Sequence, residues 1–360
     1  MGDMSRKRQI TIVDLAEAAG VSIATVSNVL NRRNVPMSEE TIRKVEEAAE
    51  QLGYRRNVMA ASLSRRKSYE LGMLVPGFGG YYGRFAEEMQ RMAHLHGYHL
   101  SVFSAAGFDP EIEKRHLDVL LQRRVDGLFC HGLAMSQDAT RQIVRDGTPL
   151  VLFNGWGWPG DIAIGAVNLD FAGGVEAAVL HLYESGCRRI YYLSRPEAHA
   201  VDAQRRLGFQ AGLARLPEQV ESGILETQRY PGSVEEAVEG IGKLGAGEGP
   251  VGMIGFDDFT AFTFMSAVQS QGLRVPQDYK IIGINNDPLS ALCYPGLSTL
   301  DIPYNDQAKF AMELMLQKLG GKEAEGEEGQ PPQAEEKNDA ADTPEIRIPL
   351  QLMARLSTQP

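Results

Sequence analysis

Residues Leu15–Asn31 read LAEAAGVSIATVSNVLN, two short helical patterns that meet at one glycine, the second crowded with small and hydroxyl side chains. A helix-turn-helix needs an apolar set facing a third helix, a small residue where two helices cross, and a turn that tolerates positive φ. Leu15, Ala19, Val21, Val26 and Val29 supply the first, Ala16 the second and Gly20 the third. The second helix then turns Ile23, Ala24, Thr25, Ser27 and Asn28 outward. Short side chains let a helix seat deep in a major groove, where hydroxyls and an amide bond phosphates and base edges. A plain αα-hairpin shows the same apolar spacing, so the surrounding sequence must decide.

Working outward, helices are predicted over Ile12–Ala19, Ile23–Asn31 and Glu39–Leu52, the last N-capped by Ser38 with an acidic first turn at Glu39 and Glu40. A basic segment follows, YRRNVMAASLSRRKS, with one or two helical turns over Val58–Leu63. From about Glu70 the pattern changes. Short apolar runs (LGMLV, YHLSVF, VDGLFC, PLVLF, RIYYLS, PVGMIGF and YKIIGI) alternate with amphipathic stretches. Helices are predicted over Arg84–His96, Glu111–Arg123, Gly174–Ser185, Gln204–Leu216, Ser233–Leu244, Phe259–Gln271 and Tyr304–Leu319. Such alternation predicts parallel sheets covered by helices on both faces. The length of this region and about ten strands exceed one sheet, which predicts two similar α/β lobes with a cleft lined by the carboxyl ends of strands. The acidic, Pro- and Gly-rich stretch over residues 320–345 reads as a disordered insertion, because IRIPLQLMARLSTQP resumes strand-like alternation after it.

Charge is divided as the pattern is. The chain of 360 residues carries a net charge of −11, yet residues 1–69 hold 12 Lys and Arg against 8 Asp and Glu. A small basic module on an acidic body follows, and the module is the part that meets a polyanion. No apolar run reaches membrane-spanning length, and the N-terminus shows no apolar signal core, so a cytoplasmic protein is expected. Cys130, Cys187 and Cys293 are isolated and read as small hydrophobes in a reducing compartment.

A helix-turn-helix, a third helix, a basic hinge and a two-lobed α/β body together resemble the lac repressor family of bacterial transcription regulators. TIVDLAEAAGVSIATVSNVLN, SEETIRKVEEAAEQLGY, NVMAASL, GINNDPLSALCYPGLSTLDIP and LMARLST carry the resemblance, which covers nearly the whole chain except the acidic insertion. It implies an all-α DNA-binding headpiece over 1–56, a hinge over 57–68, and a periplasmic-binding-protein-like α/β domain over 69–360. The lobes would comprise about 69–167 with 298–319, and about 168–297 with 346–360.

By position the resemblance makes Ile23, Ala24 and Asn28 readers of bases, and Ser22, Thr25, Ser27, Asn31, Ser38 and Thr41 contacts to phosphates. Leu63 matches the hinge leucine that wedges into the central minor-groove step, with Ala60 one turn before it. The family's Pro before the hinge Asn57 is Arg56 here, a rigid φ exchanged for a phosphate-seeking charge. Double-stranded DNA with a palindromic operator, a homodimer and a sugar-like effector are the implied partners, with no cofactor, metal or catalytic residue and no membrane.

For the effector cleft, Arg205 matches the family arginine that reaches ligand hydroxyls or carboxylates. Tyr81 and Tyr82 either stack on the ligand or pack at a helix start. Trp156, like Trp158, either stacks on a pyranose or packs at the interlobe crossover, and Tyr230 lies near a position where some members carry a stacking aromatic. Departures are informative: the family's Asn-Asp pair is Asp257-Asp258, GFDD is GINN with Asn285 and Asn286 in place of carboxylates, and an Asp-Asn pair is Asp170-Phe171. An amide in place of an acceptor-only carboxylate alters the complementarity a ligand must meet.

Two rival classes fit the sequence less well. A nicotinamide-dependent oxidoreductase would need a third glycine at position 82 after Gly77 and Gly79, where Tyr82 stands. A solute-binding protein shares the two-lobed body but has no use for a helix-turn-helix.

Overall fold

In the computed structural model, which describes residues 10–30, 35–54, 67–107, 109–132, 136–226, 249–320 and 343–359, the chain divides into two units, Met1–Ser68 and Tyr69–Pro360. The elements predicted over Val58–Leu63, Ser233–Leu244 and the acidic insertion fall outside the described residues, as does Asn31.

Local chemistry sets each helix of the first unit. Helix α1 (Ile12–Ala19) opens with a capping box: the Thr11 hydroxyl accepts from the Asp14 N–H and the Asp14 carboxylate accepts from the Thr11 N–H. It closes at Gly20, whose φ of 66° puts it in the left-handed region where a side chain is strained. Helix α2 (Ile23–Leu30) then leaves at a bend of 101° from α1. Helix α3 (Glu39–Leu52) begins on Ser38, whose hydroxyl accepts from the Thr41 N–H, and ends on Gly53. Leu15, Ala16, Val26, Val29, Val45 and Ala48 are buried together where the three helices meet. Each of the larger ones contributes roughly 1.5–3 kcal/mol by leaving water, so the core is small and every member matters.

The second unit alternates strand and helix: β1 (Glu70–Val75), α4 (Tyr81–Leu95), β2 (His99–Ser104), α5 (Pro110–Gln122), β3 (Gly127–His131), α6 (Gln137–Ile143), β4 (Leu150–Phe153) and β5 (Gly165–Asp170). Then come α7 (Phe171–Glu184), β6 (Arg189–Ser194), α8 (His199–Ala214), β7 (Glu221–Glu226), β8 (Val251–Gly255), α9 (Asp258–Ser270) and β9 (Tyr279–Asn285). The chain closes with α10 (Pro288–Leu292), β10 (Ser298–Asp301), α11 (Tyr304–Leu319), β11 (Glu345–Pro349) and β12 (Gln351–Met353). Two six-stranded sheets result, β11-β5-β4-β3-β1-β2 and β12-β10-β9-β8-β6-β7. All pairings are parallel except β12, which runs antiparallel on β10. Strands such as β3 and β9 are buried along their whole length, as helices on both faces require.

The predicted lobe boundaries need correction. Residues 298–301 were expected in the first lobe, but β10 pairs with β9 in the second sheet. Residues from 346 on were expected in the second lobe, but β11 lies parallel on β5 in the first, and only β12 joins the second. The alternation of EIRIPLQLM is continuous in sequence and carries no mark of where the chain changes sheets. Helix α11 does belong to the first lobe, with Met315 and Leu314 packed where Gly127 and Gly165 leave room. The chain therefore crosses between lobes after β5, after β10 and at Leu350.

Helices α7 and α8 lie directly against each other because Gly208 has no side chain: a Cβ there would collide with the Ala172 carbonyl. That close packing places Arg205, on the next turn of α8, beside Phe171. Cys130 and Cys187 are buried free thiols and Cys293 is half-buried. Burial pushes the Cys187 thiol up to about 11. Among the described residues no single helix is long and apolar enough to cross a membrane.

Candidate functional site

On α2, Ser22, Ile23 and Ala24 are exposed, and Thr25, Ser27 and Asn28 are half-buried. Ile23, at 47% exposure, is a large apolar side chain that the small core does not use. The Ser22 hydroxyl caps the helix, accepting from the Thr25 N–H at 3.1 Å and standing 2.9 Å from the Thr25 hydroxyl. Ser38 and Thr41 repeat the arrangement on α3, at 3.2 Å and 2.8 Å. Four of the hydroxyls assigned to phosphate contacts, those of Ser22, Thr25, Ser38 and Thr41, thus sit in the first turn of a helix, where N–H groups and the helix dipole favour an anion, while Ser27 lies mid-helix. Asn31, Asn57, Ala60 and Leu63 lie outside the described residues.

In the second unit a cavity of about 550 Å³ opens between the lobes. The first lobe lines it with the Pro76–Tyr82 turn and Asn154; the second with Phe171, Arg195, Arg205, Phe256, Asp257, Phe259, Asn285 and Asp287. These are the ends of β1, β4, β5, β6, β8 and β9 and the helix starts that follow.

Arg205 is 3% exposed. Its guanidinium carbon lies 3.9 Å from the Phe256 ring centre and 4.3 Å from that of Phe171, and its Nε and Nη1 have no hydrogen-bond partner. Rings on its faces leave the in-plane N–H groups as the polar edge. Desolvation lowers the pKa of Arg205, and the charge persists because free guanidinium titrates so high. Its neighbour Arg206 is spent on structure, bonding Asp202 at 2.6 Å and Glu226 at 3.0 Å. Buried Asp202 also accepts from Tyr192, Ser194 and the Arg195 N–H, which fixes the turn carrying Arg195.

Asp257 caps α9 through the Thr260 N–H at 2.8 Å and meets Arg195 at 3.4 Å. Asn285 is 5% exposed with φ of 120°, and its side-chain Oδ1 has no partner. Its carbonyl accepts from Arg84 Nη1 at 3.2 Å, and Arg84 reaches on to Asp287 at 3.6 Å, so a first-lobe arginine holds the second-lobe loop. Asn286 is used structurally, donating to Asp301 and accepting from Arg355. Asp258 is fully buried, accepting from Thr299 at 2.5 Å and the Asp287 N–H at 2.6 Å; desolvation raises its carboxyl to about 7.

Tyr81 and Tyr82 both line the cavity, and the hydroxyl of each has a protein partner. Tyr81 donates to Gln307 at 2.7 Å and its ring stacks between Phe85 and Tyr304. Tyr82 lies 3.0 Å from His131 Nε2, and His131 Nδ1 is 3.0 Å from the Gly132 carbonyl. That carbonyl assigns the imidazole proton to Nδ1, so Nε2 accepts from Tyr82. Burial pulls His131 down to about 4. Trp156 is not among the lining residues; it packs half-buried against the core, 6.2 Å from Phe171. Trp158 is buried in the first lobe, and Tyr230 lies outside the described residues. Arg195, Asp287, Asn154, Phe256 and Phe259 went unselected in the sequence, although each stands within a few residues of a strand's carboxyl end. Among the described residues no group of three or more His, Cys, Asp or Glu is placed to hold a metal ion.

With this geometry in view, residues 11–57 match the family described as bacterial regulatory proteins, lacI family, and residues 179–358 match a periplasmic binding protein-like domain. The chain is 30% identical to the HTH-type transcriptional repressor PurR of Aliivibrio fischeri, over 88% of this chain and 93% of that one. It is 29% identical to catabolite control protein A of Staphylococcus epidermidis, over 88% and 94%. A solved lac repressor dimer bound to operator and the anti-inducer ONPF superposes with a TM-score of 0.79 at 22% identity, covering 98% of this chain and 99% of that one. A helix-turn-helix unit joined to a two-lobed binding domain defines a ligand-responsive regulator of transcription. The chain belongs to the lacI family of bacterial regulatory proteins: it binds DNA through its N-terminal unit and carries an effector-binding domain of the periplasmic-binding-protein type.

Proposed function

We propose that this regulator represses transcription as a homodimer on a palindromic operator, and that a small polar ligand, a sugar or sugar derivative, sets its DNA affinity from the interlobe cleft. The carrying observation is Arg205, buried at the cavity wall with two guanidinium nitrogens unpartnered. A buried polar group without a partner costs stability, and a ligand that supplies one recovers it. The cavity's volume suits a sugar. Among the structural neighbours are a cellobiose complex and a lactose complex. The protein then works as a regulator rather than a catalyst, in the cytoplasm with its operator.

Ile23, Ala24 and Asn28 would read base edges, with Ser22, Thr25, Ser27, Asn31, Ser38 and Thr41 on phosphates and Asn57, Ala60 and Leu63 at the minor groove. Two half-sites require a two-fold dimer. Leu289, Leu292 and Tyr294 support one, since they stand 63%, 77% and 86% exposed within one short segment of the second lobe. A ligand preferring one lobe arrangement shifts DNA affinity by its differential affinity for the two.

The test uses the full-length protein and a palindromic operator fragment, selected from random DNA and read by gel shift. Sugars and sugar derivatives that raise the melting temperature are added to that binding reaction. Arg205→Ala should bind the fragment like wild type and lose the ligand's effect on it. A ligand effect that survives unchanged in Arg205→Ala removes the cleft from the mechanism.

A further inference from the structure

Besides the five-residue α10, four helices begin at the walls of the cleft, and their N-termini differ. Helices α7 and α9 bring their own carboxylates: Asp170 accepts from the Gly173 N–H at 2.9 Å and Asp257 from the Thr260 N–H at 2.8 Å. Helices α4 and α8 begin at Gly80 and Ala198, and neither residue makes a side-chain cap. The lead-in to α4 is bare as well. A Cβ placed on Gly77, Gly79 or Gly80 would meet nothing within 4 Å, so this stretch of backbone opens onto the cavity it lines. A helix of 15 residues presents about half a positive charge and several N–H donors at such an end.

The side chains of the cavity leave a charge of the same sign. Four charged residues line it. Arg195 meets Asp257 at 3.4 Å and Asp287 meets Arg84 at 3.6 Å. Among the described residues Arg205 makes no ion pair within 4.0 Å, and its buried Nε and Nη1 are unpartnered. One enclosed cation, influenced by Asp257 and Asp202 but in direct ion pair with neither, therefore shares a cavity with an uncapped, glycine-lined helix start. Both features are ones that bind phosphate and carboxylate oxygens elsewhere.

We infer that the effector is an anion, a sugar-sized molecule carrying one phosphate or carboxylate group that seats between the start of α4 and the guanidinium of Arg205. This rests on the cleft being the effector site, and adds that the ligand's charge is what the cleft selects. An oxyanion held there touches both lobes, since α4 belongs to the first and Arg205 to the second.

Thermal melting and calorimetric titration of the full chain, at matched ionic strength, test this with inorganic phosphate, a glucose phosphate, glucuronate and glucose. A glucose phosphate or glucuronate should bind at least about tenfold tighter than glucose, and inorganic phosphate should raise the melting temperature where chloride does not. The phosphate and carboxylate arms report which oxyanion is preferred. Gly79→Asp, placed where a side chain has room, supplies the missing carboxylate and should abolish the preference while leaving the fold intact. General salt stabilisation would persist in that variant. Arg205→Lys should keep part of the preference and Arg205→Gln none. Glucose binding as well as its anionic relatives, with Arg205→Gln weakening all alike, would overturn the anion inference and leave the cleft as effector site. No response to any of the anions would overturn it too.

Discussion

The two walls of the cleft are built on different principles. The first lobe contributes glycine backbone, two tyrosines with occupied hydroxyls and Asn154, and no charged side chain; all four charged residues of the lining come from the second. A molecule in this cleft would meet ionised side chains on one side and backbone and rings on the other. The division follows from the fold: α7 to α9 crowd Arg195, Arg205 and Asp257 onto adjacent strand ends, whereas the turn after β1 is nearly bare of side chains.

The largest expected effect comes from neutralising the charged wall. Arg205→Met should abolish the ligand's stabilisation, a loss on the order of a hundredfold in affinity, because one or more charge-assisted bonds of about 1.5–3 kcal/mol disappear. The same change should raise the melting temperature of the ligand-free protein, since an unpaired buried charge is removed. A ligand-free Arg205→Met protein that melts lower than wild type would mean the guanidinium is satisfied in solution.

Acid divides the lobes in opposite senses. His131, in the first, is held near 4 against an ordinary value of 6.5, so its stabilisation is complete above 6.5 and is lost as pH falls through 4. Asp258, in the second, is raised from 3.8 to about 7, so its contribution is present at low pH and is lost as pH rises through 7. Each is worth up to roughly 3–4 kcal/mol. Denaturant midpoints from pH 7 to pH 4.5 should fall less steeply in His131→Gln than in wild type, and more steeply in Asp258→Asn. Parallel shifts in both variants would refute the assignment.

On the uncharged wall, Tyr82→Phe should cost about 1 kcal/mol of stability by removing its hydrogen bond to His131 Nε2, with ligand affinity changed less than about threefold. A tenfold loss of affinity would show that the hydroxyl serves the ligand. Smallest of all, Arg84→Met removes a partly exposed clasp on the Asn285–Asp287 loop and should alter the ligand's effect on DNA binding more than ligand affinity itself.

What could be read from the chain tracks how local its cause is. Helices α1 and α3 fall on their predicted bounds because Thr11, Gly20, Ser38 and Gly53 are cap signals within a turn of the ends they set. Helix α4 begins three residues before its predicted start, and α8 five, because Gly80 and Ala198 advertise no cap. Strands β5, β7 and β10 and helix α6 were not singled out, and the partition of EIRIPLQLM between two sheets is decided by partners far away in sequence. In the cleft, Arg205 stood out by its motif, yet nothing in the pair Arg205-Arg206 says which arginine is spent on Asp202 and which is left over. For Trp156 the sequence leaves stacking and packing both open, and the choice depends on Phe171 and core partners remote in the chain.

The course of α11 and β11 has a bearing on how the molecule tolerates change. Residues 321–342 are flanked by Gly320, which closes α11 on the first lobe, and by Thr343, whose N–H donates to the Trp158 carbonyl at 2.9 Å and whose hydroxyl donates to that of Pro159 at 2.9 Å in the same lobe. Both flanks of residues 321–342 therefore belong to one lobe, and a rotation of that lobe against the other would carry them together. A reporter domain could be spliced into this position and carried through the allosteric cycle as a passenger.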